Sequence, residues 1–115
     1  MALAHQSGLA AEETVARRYR EAGGRIRETR WRCVEGELDL VVELPSEIVF
    51  VEVKARRFLD AEAVTPRQWA RIGAAATRYL AERTDGSRSC RFDLAMLDRT
   101  GRLECIENAR TFDGW

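Results

Sequence analysis

The chain has 115 residues, of which 45% are apolar and 33% charged, and its 19 basic and 19 acidic side chains leave no net charge. That length suits one domain, 1–115, with a single core, and the zero balance excludes an overall field that would recruit polyanions, so any affinity for nucleic acid must come from local clustering. Cys33, Cys90 and Cys105 are odd in number and lack CxxC or Cys/His spacing, which reads as thiols of a reducing compartment and not as a disulfide framework or a zinc site. Residues 1 to 11 lack the basic start and long apolar run of a signal peptide, and no stretch approaches the roughly 18 apolar residues of a membrane span. A cytoplasmic protein with no membrane partner is the expectation. His5, near the terminus, carries no role in this reading.

Residues 7 to 22 read as a helix, capped by Ser7 and stopped by Gly23-Gly24. Leu9, Ala16 and Tyr19 recur on one face, and Glu13 falls among them. An acid on the apolar stripe is the unusual feature. Arg17, Arg18 and Arg20 occupy other faces. Residues 25 to 33, with Ile26 and Arg30-Trp31-Arg32, read as a strand.

The segment 36–54 reads as an antiparallel hairpin of two aliphatic arms around the proline-containing connector 44–47. In that register Glu43 opposes Ile48, Val41 opposes Phe50, and Asp39 opposes Glu52. One face carries Leu38, Leu40, Val42, Val49, Val51 and Val53. The other carries Val41, Phe50 and Ile48 at the connector end, and Glu37, Asp39, Glu52 and Lys54 at the far end. A slip of one residue would bury the charges, so register is well specified. Like charges directly opposed across a strand pair destabilise it. A chain that opposes two carboxylates there has something positive to place between them.

Residues 55 to 65 read as a loop, and Pro66 opens a second helix over 66–83. Trp69, Ile72, Gly73, Ala76, Tyr79 and Leu80 form its apolar stripe. Residues 91–97 and 103–106 read as two more strands around a turn at 98–101. The order is α-β-β-β-α-β-β, and one mixed five-stranded sheet flanked by the two helices is the simplest packing.

Gly36-Glu37-Leu38-Asp39-Leu40, followed by Phe50-Val51-Glu52-Val53-Lys54-Ala55-Arg56, resembles the signature of the bacterial YraN-type family of uncharacterised proteins. The resemblance runs along nearly the whole chain. Gly8 and Glu13 with Ala16 and Tyr19 match its first-helix motif, Val64-Thr65-Pro66-Arg67 its second-helix opening, and Arg91-Phe92-Asp93 and Glu107-Asn108-Ala109 its last two blocks. That family is similar in fold to archaeal Holliday-junction resolvases and to restriction endonucleases. The resemblance therefore implies a restriction-endonuclease-like α/β fold and a nuclease constellation of Glu13, Asp39, Glu52 and Lys54. Junction-cleaving relatives act as dimers, so it also suggests a homodimer. This chain departs from the family in carrying Gln68 where a lysine is common, and Arg30 where an asparagine is common.

The chemistry of the residues agrees with that implication. Phosphodiester cleavage needs a hard cation to offset phosphate charge and lower the pKa of a water. Mg2+, or Mn2+ in its place, suits carboxylate oxygens and keeps several waters. Asp39 and Glu52 would be the ligands, with Glu13 completing the set, and Lys54 would orient water or bind phosphate. Arg56, Arg57, Arg67 and Arg71, together with Arg78, would offer charge to a nucleic-acid backbone, DNA before RNA, and Trp31 or Trp69 could stack on bases. Each residue also has a plainer reading. Asp39 and Glu52 could sit on a solvated sheet edge, Lys54 could pair with Glu37, Glu13 could be a helix-surface acid, the arginines could be a solvated helix face, and Trp69 could pack in the core. The expectation is a metal-dependent nuclease. The alternative is a non-catalytic nucleic-acid-binding or protein-interaction module that keeps the fold.

Overall fold

Alternating aliphatic residues from Leu38 to Val53 build the centre of a five-stranded sheet in the computed structural model, which describes residues 2–56 and 63–112, with backbone only at 2–7. The elements are α1 (Ala2–Glu21), β1 (Arg25–Cys33), β2 (Gly36–Glu43), β3 (Glu47–Ala55), α2 (Pro66–Arg83), β4 (Ser89–Leu97) and β5 (Leu103–Arg110). The strands lie in sequence order across the sheet, and β3 runs parallel to β4 while every other pair is antiparallel. A parallel pair needs a long crossover, and α2 supplies it. This is the mixed sheet and element order expected of a restriction-endonuclease-like domain.

Each face of the sheet takes one helix. Val15, Ala16 and Tyr19 of α1 pack on Leu40, Val42, Val49, Val51 and Ala95. Trp69, Ile72, Ala75, Ala76 and Tyr79 of α2 pack on Val41, Ile48, Phe50, Phe92, Leu94 and Met96. Thr65 caps α2 with a complete capping box: its hydroxyl accepts from the Gln68 N–H at 3.1 Å, and the Gln68 side chain accepts from the Thr65 N–H at 2.8 Å. Gly23, at φ 92°, and Gly24 end α1, and the Gly24 N–H donates to the Tyr19 carbonyl at 2.8 Å.

Two expectations need correction. The first helix begins at Ala2, so Ser7 lies inside it and not at its cap. Leu38 leaves the face of Leu40 and joins the α2 layer beside Trp31. The cause lies on the neighbouring strand. Arg30 sits between the pairs Thr29–Leu40 and Trp31–Leu38, hence across from Asp39, and has φ 49°. A left-handed residue in a strand turns the chain beyond it, so Trp31 swings onto Tyr79, edge-on at 5.1 Å between centroids. Trp31 and Trp69 are both packed and leave the stacking role. Among the described residues no helix is long and apolar enough to cross a membrane.

Candidate functional site

The hairpin ladder observes the predicted register at Glu43–Ile48, Val42–Val49, Val41–Phe50 and Leu40–Val51. It stops one pair short of Asp39 and Glu52. There the Asp39 carboxylate replaces a backbone acceptor, and the Val53 N–H donates to its Oδ2 at 2.9 Å. This bond fixes the Asp39 side chain over β3. Glu52 lies next to it, and the two acids line one recess of about 250 Å³ with Gly36, Glu37, Gln68, Arg71 and Ile72. The opposed carboxylates expected from the sequence therefore share one site, at the end of the sheet where α2 begins.

Burial, then the neighbouring Asp39 carboxylate, pushes the Glu52 carboxyl well above its ordinary value, and Lys54 opposes the rise. The Lys54 Nζ is 3.1 Å from Glu52 Oε2, and both side chains are largely covered, at 16% and 11% exposure. Alternation along β3 puts them on the α2 side of the sheet below Phe50. The cross-strand pair of Lys54 with Glu37 does not form. Glu37 takes Arg32 instead, at 3.2 Å.

Glu13 stands elsewhere than predicted. Its side chain is 62% exposed and meets Arg20 at 3.3 Å. The buried stripe of α1 is Ala11, Val15 and Tyr19, at i, i+4 and i+8, and this rotates Glu13 outward and turns Glu12 toward the sheet. Burial, then Asp39, then Glu37 raise the Glu12 carboxyl against the pull of Arg30, whose guanidinium lies 3.5 Å away. The sequence signal was slight, because Ala11 is a small residue that marks a stripe weakly.

Of the arginines, Arg71 lines the recess and Arg67 is exposed on the first turn of α2. Arg56 lies past the end of β3, beside the β4–β5 turn. Arg57 lies outside the described residues. Arg78 is committed elsewhere: its Nε and Nη2 donate to Glu35 at 2.6 and 2.8 Å, and Nη1 to Glu82 at 3.0 Å.

A second polar centre escaped the sequence reading. Asp93 is fully buried, accepts from the Tyr19 hydroxyl at 2.6 Å and the Asn108 N–H at 3.0 Å, and takes a double bond pattern from Arg91 at 2.9 and 3.1 Å. Arg91 also reaches Glu47 at 2.8 Å. Burial, then the bond to Asp93, raises the Tyr19 hydroxyl. This network ties α1 to β4 and β5. Its signal was present as an acid inside the aliphatic alternation Asp93-Leu94-Ala95-Met96.

The profile of a family described as "Uncharacterised protein family UPF0102" matches residues 11–97, which span α1 from its buried face through β4. The chain belongs to the UPF0102 family. A UPF0102 protein of Ruegeria pomeroyi is 46% identical over 108 residues, covering 91% of this chain and 88% of the relative. One from Cereibacter sphaeroides is 41% identical over 110 residues, at 93% and 94% coverage. One from Frankia casuarinae is 44% identical over 110 residues, at 89% and 93%. The UPF0102 match contains the hairpin, Lys54 and the opening of α2, and so the whole recess.

Proposed function

We propose that this UPF0102 protein is a divalent-metal-dependent nuclease acting on nucleic acid, DNA before RNA, at the recess between β2, β3 and α2. One observation carries the reading: Asp39 and Glu52 stand together, partly desolvated, with Lys54 on Glu52 and Arg71 on the same recess. The Asp39 carboxylate helps to raise the proton affinity of Glu52, and a hard cation between the two would relieve that repulsion.

The donors fit Mg2+ or Mn2+ of the kind that retains several waters. Asp39 and Glu52 would hold the ion, Glu12 would add negative field from α1, and among the described residues no third histidine, cysteine or carboxylate converges to close the coordination. When bound, the cation would offset charge on the scissile phosphate and lower the pKa of a water. Lys54, held by Glu52, would bind a phosphate oxygen or orient the attacking water. The Val53 N–H keeps one Asp39 oxygen fixed, so this carboxylate keeps its orientation as substrate arrives.

The test has two parts. Thermal melting under Mn2+ or Mg2+ should show a rise in Tm for the wild type and none for Asp39→Asn. End-labelled duplex and branched DNA with either metal should then be cut by the wild type and left intact by Lys54→Ala. A flat melting response in the wild type would remove the cation site. Binding without cleavage in both metals would leave the non-catalytic nucleic-acid-binding module.

A further inference from the structure

The zero net charge conceals an uneven distribution of free arginines. At the end of the sheet bearing the 44–46 connector most arginines are consumed locally, although Arg18, beside Leu44, is in no ion pair among the described residues. Arg25, Arg27 and Arg88 all converge on Glu43, Arg83 reaches Glu28, and Arg91 holds Asp93 and Glu47. At the opposite end, where the recess lies, Arg56, Arg71 and Arg99 meet no carboxylate at ion-pair distance among the described residues. Among the described residues the Arg56 side chain has only the adjacent Ala55 carbonyl, at 3.5 Å. Asp98, which lines the same hollow, spends its Oδ1 on the Thr100 N–H and hydroxyl and the Arg102 N–H, at 2.7–2.9 Å, which shapes the β4–β5 turn.

Arg56 and Arg99 flank a cavity of about 440 Å³ walled by Ala10, Ala55 and Leu97, at the C-terminal end of the parallel β3–β4 pair. Crevices outside the carboxyl ends of parallel strands are where open α/β sheets bind ligands. Ala10 belongs to α1, whereas Gln68 and Arg71 of the recess belong to α2. The two hollows therefore lie on either side of the end of β3, with Lys54 and Arg56 only two residues apart. That step is about 6.6 Å along an extended strand, or about two phosphates of axial rise on one strand of a duplex.

We infer that the Arg56/Arg99 cavity is a backbone-phosphate subsite, which holds the nucleic-acid strand as it passes over the end of β3 from the Asp39/Glu52/Lys54 recess. It rests on the nucleic-acid reading of that recess and adds to it where the strand goes and how it is read. The contacts offered are point charges on a backbone, which position a substrate without reading bases.

The experiment is equilibrium binding of a fluorescently labelled DNA duplex in EDTA, by anisotropy over a salt series. The proteins are the wild type, the double variant Arg56→Ala/Arg99→Ala, the charge-conserving Arg56→Lys/Arg99→Lys, and Arg17→Ala/Arg18→Ala on the exposed face of α1 as control. Each phosphate contact contributes about 0.9 to the log–log salt slope. The alanine pair should therefore lower the slope by up to about 1.8 and weaken binding at low salt by about tenfold or more. The lysine pair should restore most of it, and the control should match the wild type. A wild type that binds, with an alanine pair of equal slope and affinity, overturns the subsite and leaves the recess standing. A wild type that binds no duplex overturns the nucleic-acid reading and the subsite together. Binding that is intact while cleavage fails in both metals overturns only the nuclease chemistry.

Discussion

Glu52→Gln gives the sharpest test of the electrostatics, because the sign of its effect on stability follows from the structure. The folded Glu52 carboxyl titrates above its ordinary value through burial and the nearby Asp39, against the pull of Lys54. Between the ordinary glutamate value and the raised one, the native state keeps a proton that the unfolded chain has released. Stability is then greatest at low pH in this window and falls as pH rises, by up to about 1.4 kcal/mol per pH unit for one such group. Glu12 is raised as well, and adds a slope of the same sign. Acids with lowered values, such as Glu43 and Asp98, contribute the opposite slope, but it is complete above about pH 5, where unfolded carboxylates are already ionised. From pH 5 to 7 in chelator, the wild type should lose about 2 kcal/mol in urea unfolding, and Glu52→Gln should lose markedly less. Adding Mn2+ at pH 7 should recover the loss in the wild type only, since the ion replaces the proton between the carboxylates. Parallel pH profiles for the two proteins in chelator would refute the claim that Asp39 and Glu52 repel each other across a desolvated site.

The remaining predictions concern neighbouring positions. Asp93→Asn leaves Arg91 partly unpaired in the interior and should cost about 3 kcal/mol, read as a fall in urea midpoint at unchanged m-value; Tyr19→Phe should cost about 1.5 kcal/mol at the same network. Arg30→Asn replaces a long side chain in the left-handed region with the residue that tolerates it best, so it should stabilise by about 0.5–1 kcal/mol despite losing the Glu12 contact; a Tm below wild type would refute that account. Thr65→Ala breaks the capping box and should cost about 1 kcal/mol, checked by thermal melting. Glu12→Gln should weaken the Mn2+-induced rise in Tm, whereas Glu13→Gln, on the exposed face, should leave it unchanged.

The hairpin was the most legible part of the chain. Its side chains alternate with period two, and only one register keeps Ile48, Val49, Phe50 and Val51 buried while Asp39, Glu52 and Lys54 gather at one end. The second helix was equally open to reading, because Pro66 and the stripe from Trp69 to Leu80 fix its start and its buried face. The first helix was not. Its stripe is built from Ala11, Val15 and Ala16 beside Tyr19, residues too small to separate one face from the next by hydropathy, so the acid near Asp39 was assigned one residue late. The plainer alternative for Lys54, a pair with Glu37, does not form, since Glu37 and Glu52 compete for it and Arg32 on the adjacent strand takes Glu37.

Local sequence determined the elements, their order and the strand alternation that sends Glu52 and Lys54 to one side, because these depend on steric and hydropathic rules acting over a few residues. The rest came from contacts between distant segments. Arg30 in β1 turns Trp31 and Leu38 into the α2 layer, Tyr19, Asp93 and Asn108 meet across 89 positions of chain, and Arg56, Arg71 and Arg99 stand without an ion pair among the described residues at one end of the sheet while Arg25, Arg27 and Arg88 converge on Glu43 at the other. A charge's partner is set by distance in space and by the water removed around it, and neither quantity is written in the spacing of residues along the chain.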